Sequence, residues 1–359
     1  MSGGLGGLAR EAIAFGACPV PASGYERFVL GHGSGGRLSH ELFARVFRPL
    51  LGEHARFGLE DQAVLAGLPA GRLALTTDAF VIKPLIFPGG DIGSLAVHGT
   101  VNDLAMGGAR PLYLTVSFIL EEGLELALLE RVVASMRRAC ESVPVGLVAG
   151  DTKVVDRGKA DGLFITTSGV GVVPDSVQLS ATGARPGDQV LVSGTLGDHG
   201  IAILAAREGI ELETALQSDS APLSGLCSDM LAASPGIRCM RDPTRGGLSS
   251  ALNEIAAASR VGIALRERDI PLRAEVRGAC ELLGFDPLYV ANEGKLVAIV
   301  APEAALPVLT AMRAHPLGRD AAHVGEVVAE HPGLVTSRTP IGGTRVVAML
   351  QGEQLPRIC

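Results

Sequence analysis

The sequence contains no apolar stretch that could cross a membrane. Hydrophobic residues make up 47% of the chain, yet no run reaches the roughly 18 consecutive apolar residues that a membrane-spanning helix requires. Residues 1–26 have a glycine-rich start, without a lysine-rich segment followed by a long apolar core, so they make a poor signal peptide. We therefore expect a cytoplasmic protein without a membrane partner.

Cysteine pairs and clusters of positive charge are also missing. The six cysteines are scattered without a Cys-x-x-Cys pair, which argues against a zinc site or a disulfide framework. The formal net charge is −7, whereas a nucleic-acid-binding surface would require a basic stripe. These absences predict a protein of a reducing compartment that has no nucleic-acid partner.

The length of the chain predicts two domains. A chain of 359 residues exceeds what one ordinary hydrophobic core supports, and runs with strand and helix periodicity alternate along it. We predict an N-terminal extension at residues 1–26, a first domain at 27–174, a second domain at 175–345 and a flexible tail at 346–359.

A glycine loop at residues 31–36 (GHGSGG) follows a short predicted strand at 27–30 and precedes apolar residues at helical spacing. It matches the pattern G-x-G-x-x-G of dinucleotide-binding proteins. No second strand ends in an acidic residue about 20 positions later, as that fold would require, and no Gly-Lys-Ser/Thr closes a Walker loop. A nicotinamide-binding oxidoreductase, or a binding module without catalysis, stays open as an alternative.

Four aspartates stand in glycine-rich surroundings. Asp61 and Asp78 each lie at one end of a run with strand character, Asp103 lies on a predicted helix, and Asp242 precedes a Pro-Thr-Arg-Gly-Gly turn. Such carboxylates suit Mg²⁺, which takes oxygen ligands from a few carboxylates together with substrate phosphates. Taken singly, each aspartate is more readily explained as a turn cap. On the same helix as Asp103, His98 is either a ligand or a structural histidine.

The sequence ends on a thiol, Cys359, in the segment LPRIC. Pro356 stiffens the backbone, and Arg357 and Ile358 add a cation and an apolar anchor, so the segment has the character of a docking peptide with a reactive tip. Nine residues from Gln351 span at most about 30 Å, enough to move between two sites. The alternative is that a cysteine stands there by chance; prenylation is disfavoured because it requires the cysteine fourth from the end.

Six segments together resemble one family. They are GHGSGGRLS at 31–39, LAVHGTVNDLAM at 95–106, GDTKV at 150–154, RDPTRGGL at 241–248, NEGKL at 292–296 and the final PRIC. These segments resemble the HypE family of hydrogenase maturation proteins, from about residue 27 onward. The resemblance implies an α+β fold of two α/β domains like that of aminoimidazole ribonucleotide synthetase, with a homodimer joined through the first domains.

The resemblance also implies a reaction. A carbamoyl group on the sulfur of Cys359 would be dehydrated to a thiocyanate at the expense of ATP, and the cyano group would pass to the iron of a nickel-iron hydrogenase. The implied partners are a carbamoyltransferase that loads Cys359 and an iron-scaffold complex that receives the cyanide. The alternative is another ATPase of the same superfamily that acts on a free small molecule.

Residue roles follow from the same resemblance. Glu293 is the candidate base for the carboxamide protons, and Lys153 would stabilise charge on the oxygen or the phosphate; the alternative for both is a surface ion pair. Mg²⁺ would be held by Asp61, Asp78, Asp103 and Asp242. ATP would contact Gly33, Ser34, Gly35, Gly36, Thr77, Asp78, Asn102, Asp103, Gly150 and Asp151. Glu60 stands where the superfamily suggests a second aspartate, so one metal ligand is unassigned.

Overall fold

The computed structural model describes residues 24–52, 62–210, 216–352, 355 and 357–359. Within them two large β-sheets form from separate stretches of the chain, residues 72–173 and 189–346. Each sheet carries helices, so the mixed helix-and-sheet class that the sequence predicts is observed. The connection between the sheets spans residues 174–188, and the predicted domain limits stay a prediction.

The first unit is a four-stranded sheet with helices. In chain order it contains α1 (Arg37–Leu42), α2 (Arg48–Leu51), β1 (Arg72–Phe80), β2 (Ile86–Phe87), β3 (Gly90–Asp91), α3 (Ile92–Met106), β4 (Arg110–Glu121), α4 (Leu126–Ser142), β5 (Gly146–Val155) and β6 (Leu163–Val173). The order across the sheet is β1-β6-β4-β5. Strands β4 and β5 are parallel, and the other neighbours are antiparallel.

Helix α3 contacts both the sheet and α4, and most of its residues are buried. Asp91 begins the helix, since its Oδ1 accepts hydrogen bonds from the N–H groups of Gly93 (2.8 Å) and Ser94 (3.0 Å), which have no partner within the first turn. Gly93 lets α4 approach closely, because a Cβ there would lie 2.4 Å from the carbonyl oxygen of Val132. The polar residues of α3 are therefore held on a firmly packed element.

The opposite face of this sheet is open in the part of the chain that the structure describes. On β4 and β6 buried residues alternate with less buried ones, and on β1 partly buried residues alternate with exposed ones. The open side includes Leu73 (60% exposed), Leu75 (76%) and Ile119 (37%), which strand alternation and the register place on one face, away from α3. An apolar sheet face of this kind indicates an interaction surface.

The second unit is a seven-stranded sheet with helices on both faces. In chain order it contains β7 (Gln189–Val192), α5 (Asp198–Glu208), α6 (Ser224–Ala233), β8 (Ile237–Arg241), α7 (Gly247–Ser259), β9 (Gly262–Arg266), α8 (Ala274–Leu283), β10 (Val297–Val300), α9 (Pro302–Ala314), β11 (Ala322–Val328), β12 (Val335–Arg338) and β13 (Thr344–Val346). The order is β13-β12-β9-β11-β7-β10-β8. Val190 and Val192 pack on the side of α7, whereas Leu191 packs on the side of α6 and α9.

The strand predicted at residues 27–30 is wrong. Arg27 makes only an isolated bridge with Glu125, and Leu30–Gly33 forms a 3-10 turn. The reason is that the buried Phe28 exchanges main-chain hydrogen bonds with the loop between β4 and α4, at Gly123 and Leu124, each 2.9 Å long. A loop has no regular series of main-chain hydrogen bonds to which residues 27–30 could add as a strand. The helix predicted after the glycine loop is present as α1 and α2, joined by a π-helical turn.

None of the helices within the described ranges combines the length and the apolar character needed to cross a membrane.

Candidate active site

A cavity of about 620 Å³ lies between the two units. Asp78 from β1, Asp103 from α3 and Asp242 from the residue after β8 all line it, together with Arg245. The fourth predicted metal ligand, Asp61, lies outside the described residues. The fold thus brings together three carboxylates that are far apart in the sequence.

Threonines orient two of these carboxylates. Asp78 and Thr76 point from β1 toward α3, because residues two apart on a strand share a face. Thr100 Oγ1 donates a hydrogen bond to Asp78 Oδ2 (3.2 Å), and Thr76 Oγ1 donates one to Asp103 Oδ2 (2.7 Å). Each element therefore supplies one acid and one hydroxyl, and both carboxylates are held facing the cavity.

Burial and mutual repulsion raise the pKa values in this cluster. The pKa of Asp78 is raised to about 6, first by burial and then by the charge of Asp103. The pKa of Asp242 is raised to about 7, again by burial first and by Asp103 second. Arg241 lines the same cavity but forms an ion pair with Glu254. The cluster carries more negative charge than its surroundings neutralise, which favours binding of a cation.

These carboxylates do not make a complete metal site by themselves. Among the described residues, no group of three or more His, Cys, Asp or Glu side chains could hold a metal ion unaided. Mg²⁺ usually binds one or two carboxylates and completes its shell with waters and substrate phosphates. The arrangement fits such a shared magnesium site and does not fit an all-protein metal cage.

Glu293 lies in the loop before β10 and is 4% exposed. Its N–H donates to Asp219 Oδ1 (3.0 Å), and its carbonyl oxygen accepts from Asn102 (3.1 Å), so its main chain is fixed on both sides. Within the described residues, its carboxylate Oε1 has no hydrogen-bond partner. Burial, followed by the charges of Asp242 and Asp219, raises the pKa of Glu293 well above its ordinary value. Glu293 is therefore not the surface ion-pair residue of the alternative interpretation.

A buried ion pair beside Glu293 was missed by the sequence analysis. Lys295 Nζ lies 3.3 Å from Asp219 Oδ2, and both side chains are largely buried. Gly294 permits this contact, because a Cβ there would lie 1.8 Å from the carbonyl oxygen of Asp219. The signal in the sequence is the polar run QSDS at residues 217–220, directly before an Ala-Pro pair.

Asn102 joins the two units. Its Nδ2 donates to the carbonyl oxygens of Ala221 (3.0 Å) and Glu293 (3.1 Å), and its Oδ1 accepts from the N–H of Leu223 (2.7 Å). The amide is 1% exposed and all three bonds go to the main chain. The predicted contact of Asn102 with ATP stays a prediction.

His98 lies one turn before Asn102 on α3. Its Nδ1 is 3.0 Å from Ser220 Oγ, and burial lowers the pKa of His98 to about 4. The ring is therefore buried and hydrogen-bonded as a structural histidine would be, and the ligand role considered from the sequence stays a prediction.

The final residues are docked against the segment after β1. The N–H of Val81 donates to the main-chain oxygen of Cys359 (3.1 Å), and the N–H of Lys83 donates to the carbonyl oxygen of Arg357 (3.2 Å). The Arg357 guanidinium donates to the carbonyl oxygen of Val81 (3.1 and 3.2 Å) and forms an ion pair with Asp161. The structure shows a docked tail where the sequence predicts a flexible one, since main-chain oxygens of the tail and the Arg357 guanidinium have hydrogen-bond and ion-pair partners outside the tail; movement of the tail stays a prediction.

The thiol of Cys359 lies within electrostatic reach of Glu293. Burial is the largest cause that raises the pKa of Cys359 to about 12, the charge of Glu293 raises this pKa further, and Arg245 opposes the shift. The thiol is therefore neutral in the docked position. A cavity of about 150 Å³, lined in part by Arg245 and Tyr289, adjoins it. Two of the predicted catalytic residues, Cys359 and Glu293, thus lie within electrostatic reach of each other.

The glycine loop forms a separate group with β5. Gly33 packs so closely on this strand that a Cβ would lie 2.2 Å from the main-chain nitrogen of Val154. The N–H of Gly35 donates to Ser39 Oγ (3.0 Å), while Ser34 and Gly36 are exposed. The loop, the α1 to α2 segment and residues 148–153 enclose a cavity of about 280 Å³.

This second group lies at the far edge of the first sheet. Strands β1 and β5 form opposite edges, so Gly150, Asp151 and Lys153 are separated from the acidic cavity. Lys153 is exposed and lies 3.3 Å from Asp151. Thr77 is on the open face of β1, where its hydroxyl donates to the carbonyl oxygen of Thr167 (3.2 Å). The predicted nucleotide-binding residues therefore form two groups within one copy of the chain.

Two family models match the chain. AIR synthase related protein, N-terminal domain, matches residues 59–173, and AIR synthase related protein, C-terminal domain, matches residues 185–336. A relative from Bradyrhizobium diazoefficiens, described as carbamoyl dehydratase HypE, is 58% identical over 331 residues, which cover 92% of this chain and 95% of the relative.

Two solved structures share the fold. A crystal structure of hydrogenase maturation protein HypE in complex with ATP has a TM-score of 0.86 at 47% sequence identity, covering 92% of this chain and 99% of that chain. A crystal structure of a HypE–HypF complex has a TM-score of 0.76 at 46% identity, covering 88% of this chain and 100% of that chain.

The fold of two sheet units around an acidic cavity is that of the AIR synthase related proteins. Within that group, the chain belongs to the HypE family of carbamoyl dehydratases. The predictions of the family, the fold class and the enzyme class are confirmed, and the nicotinamide-binding alternative suggested by the glycine loop is wrong.

Asp242→Asn should stabilise the ligand-free protein at high pH. Because the native pKa of Asp242 lies above its unfolded value, the native state binds more protons, and stability is lost as the pH rises from about 4 through about 7. Removing the charge should raise the free energy of unfolding by about 1–2 kcal/mol at about pH 8 and change it little at about pH 4. Urea unfolding without divalent cation or nucleotide measures this.

The matched control is Asp175→Asn, at an exposed position. An effect of Asp242→Asn that is the same at both pH values would contradict the electrostatic account.

Proposed function

We propose that this chain is a carbamoyl dehydratase that acts on its own Cys359. The carboxamide Cys359-S-CO-NH₂ loses water to give the thiocyanate Cys359-S-C≡N, while ATP is converted to ADP and phosphate. The thiocyanate supplies the cyanide ligand for the iron of a nickel-iron hydrogenase. The observation that carries this proposal is the docked tail, which holds Cys359 within electrostatic reach of the buried Glu293.

The oxygen of the carboxamide first has to become a leaving group. The γ-phosphate of ATP transfers to this oxygen, and one N–H proton is lost, which gives Cys359-S-C(=NH)-O-phosphate and ADP. Loss of the second N–H proton, with departure of phosphate, forms the C≡N bond. The oxygen and two protons of one water are removed in total. In such transfers a protein contributes mainly by positioning and by neutralising charge.

Glu293 accepts the N–H protons one at a time, and it releases the first to solvent before it accepts the second. Its carboxylate is destabilised by burial and by the neighbouring aspartates, so the ionised form takes up a proton readily. Its Oε1 has no hydrogen-bond partner among the described residues, which leaves it available to the carboxamide. Arg245 is the cation that acts on the thiol in this structure, and it is placed to balance negative charge that develops there.

We assign the acidic cavity to Mg²⁺ and the triphosphate, which its residues would hold. Asp78, Asp103 and Asp242 supply carboxylate oxygens, and Asp61 is a further ligand from the sequence. The unneutralised charge of the cluster supports this assignment, and the phosphates complete the donor set. When bound, the ion supplies charge neutralisation for phosphoryl transfer. The N-terminus of α7, which Gly246 and Gly247 begin with positive φ angles, offers N–H groups to phosphate oxygens.

Loading requires the tail to leave this site. A thiol with a pKa of about 12 is almost entirely protonated at neutral pH, and the thiolate is the nucleophile. We therefore assign carbamoylation of Cys359 to an undocked tail, on a carbamoyltransferase such as the HypF of the solved HypE–HypF complex. An iron-scaffold complex then receives the cyanide. The use of ATP and of a reduced thiol supports the cytoplasm as the compartment of these steps.

A second copy of the chain covers the open face of the first sheet. The exposed leucines of this open face support it as the dimer interface. Strand β1 is also an unpaired edge strand in the described chain. The nucleotide-binding residues of one copy also form two groups, at opposite edges of the sheet. A homodimer through the first domains would bring Asp151 and Lys153 of one copy toward the acidic cavity of the other.

Mass spectrometry of the loaded protein tests the proposed function. The protein is incubated with the carbamoyltransferase, carbamoyl phosphate and ATP, repurified, and then given Mg-ATP. We expect the Cys359 peptide to gain one carbamoyl group during loading and, after repurification, to lose one water only when Mg-ATP is added. Cys359→Ser should show neither change. Steady ATP hydrolysis with an unaltered Cys359 peptide would contradict the proposal and favour a free small-molecule substrate.

Glu293→Gln should block dehydration without preventing nucleotide binding. Glutamine fits the same buried space but cannot accept a proton, so a single turnover of loaded protein should slow by about 100-fold or more. Rapid quenching and peptide mass analysis give the rate, and calorimetry gives the affinity for ATP. Glu303→Gln, at an exposed position, is the control. Conversion at the wild-type rate would remove Glu293 as the base.

Leu75→Arg should disrupt the homodimer. A charge at this position, 76% exposed in one copy, would be buried without a partner in the interface. Light scattering should show a dimer for the wild type and a monomer for the variant. Leu282→Arg is the matched control, since Leu282 is 79% exposed on α8. A monomeric wild type, or a dimeric Leu75→Arg variant, would contradict this interface.

A further inference from the structure

We infer that His199 is a positioning residue that holds the last peptide unit before Cys359. Its ring lies in the first turn of α5, is fully buried, and contacts the ring of Phe87 edge-on at a centroid distance of 5.8 Å. Nε2 of His199 lies 2.7 Å from the carbonyl oxygen of Ile358. The inference rests on the proposed function, since this contact matters to catalysis only if Cys359 is the residue that reacts.

The hydrogen bonds around His199 define which ring nitrogen carries the proton. A carbonyl oxygen can only accept, so Nε2–H donates to Ile358. Nδ1 then accepts, and Ser218 Oγ lies 2.7 Å from it. Ser218 Oγ itself accepts from the N–H of Ser220 (3.1 Å), and the N–H of Ser218 donates to the carbonyl oxygen of Pro88 (2.8 Å). The ring orientation is therefore set by a chain of donors that ends at the tail.

The environment keeps this ring neutral. Burial lowers the pKa of His199, while the charge of Asp219 and the bond to Ile358 act in the opposite direction. The neutral ring has one donor and one acceptor, which match its two partners. His199 thus behaves as a fixed hydrogen-bond donor at physiological pH.

On one side of the tail, His199 donates the hydrogen bond that the main chain of a neighbouring strand would otherwise donate. The main-chain oxygens of Arg357 and Cys359 accept hydrogen bonds from Lys83 and Val81 on the other side. The Ile358 carbonyl, between them in sequence, bonds to α5 instead, and Ile358 is 6% exposed. A buried carbonyl oxygen without a donor is destabilising. The bond from His199 therefore prevents rotation of the peptide unit on which the position of the Cys359 sulfur depends.

Two substitutions separate the hydrogen bond from the volume of the ring. His199→Phe keeps the ring and removes both nitrogens, whereas His199→Gln keeps an N–H donor at a similar reach. In the Phe variant we expect single-turnover dehydration of loaded protein to slow by about tenfold, with the half-saturating ATP concentration unchanged. The Gln variant should recover most of the rate. A purely structural role for the ring would not produce this recovery.

Alkylation of the unloaded thiol tests docking without any catalysis. Iodoacetamide labelling, read on the Cys359 peptide in the absence of ATP and of partner proteins, should be about tenfold faster in His199→Phe than in the wild type, and near the wild-type rate in His199→Gln. His331→Asn, at an exposed turn, controls for a change of histidine elsewhere. If the wild type fails to dehydrate Cys359 but labelling is faster in His199→Phe than in both the wild type and His199→Gln, the proposed function fails and the positioning role stands.

The positioning role is overturned if folded His199→Phe labels and dehydrates at wild-type rates, or if the Phe and Gln variants are impaired equally. Where His199→Phe does not fold, Ser218→Ala removes the donor to Nδ1 and leaves the ring. It should increase labelling of Cys359 in the same direction and to a smaller extent, and an unchanged labelling rate would overturn the inference.

Discussion

The hydrogen bonds of Asn102 hold the two units together, and the acidic cavity between them depends on this joint. The side chain bonds three main-chain groups of the second unit, one of them the carbonyl of Glu293. Because α3 also carries Asp103, the joint fixes one carboxylate of the cavity relative to the buried Glu293. An unpaired buried polar group costs about 1–3 kcal/mol, so separation of the units at this point is strongly opposed.

Burial gives the site its reactivity and opposes the stability of the empty protein. The pKa values of Asp78, Asp242 and Glu293 are all raised, first by burial and then by neighbouring negative charges, so ionisation of each group is disfavoured relative to water. Binding of a cation and a nucleotide to the native state alone offsets this by mass action. Burial also selects among the forms of Cys359, since a carboxamide and a thiocyanate are uncharged whereas a thiolate is not. The docked position therefore favours a tail whose Cys359 carries an uncharged carboxamide or thiocyanate over a tail whose Cys359 is a thiolate.

Features carried by local patterns were predictable from the sequence. The helix that carries Asp103 was predicted and is present as α3, and the helix after the glycine loop was predicted from apolar residues at helical spacing. The prediction of a strand at 27–30 was wrong because Phe28 pairs with a loop that is about 95 residues away in the sequence. No local pattern reveals such a distant partner. Asp219 and His199 were missed for the same reason, as each has its role through contacts with distant segments.

The sequence by itself determined the chemical groups: the carboxylates Asp78, Asp103 and Asp242, the acid Glu293 and the thiol Cys359. Only the tertiary structure decided which of these groups meet. It brought Cys359 within electrostatic reach of the buried Glu293 and put Lys153 on the opposite edge of the first sheet from Asp78. The physical reason is that spacing along the chain fixes which face of a helix or strand a side chain occupies. The pKa of a group depends instead on burial and on neighbouring charges, which the fold supplies from remote parts of the chain.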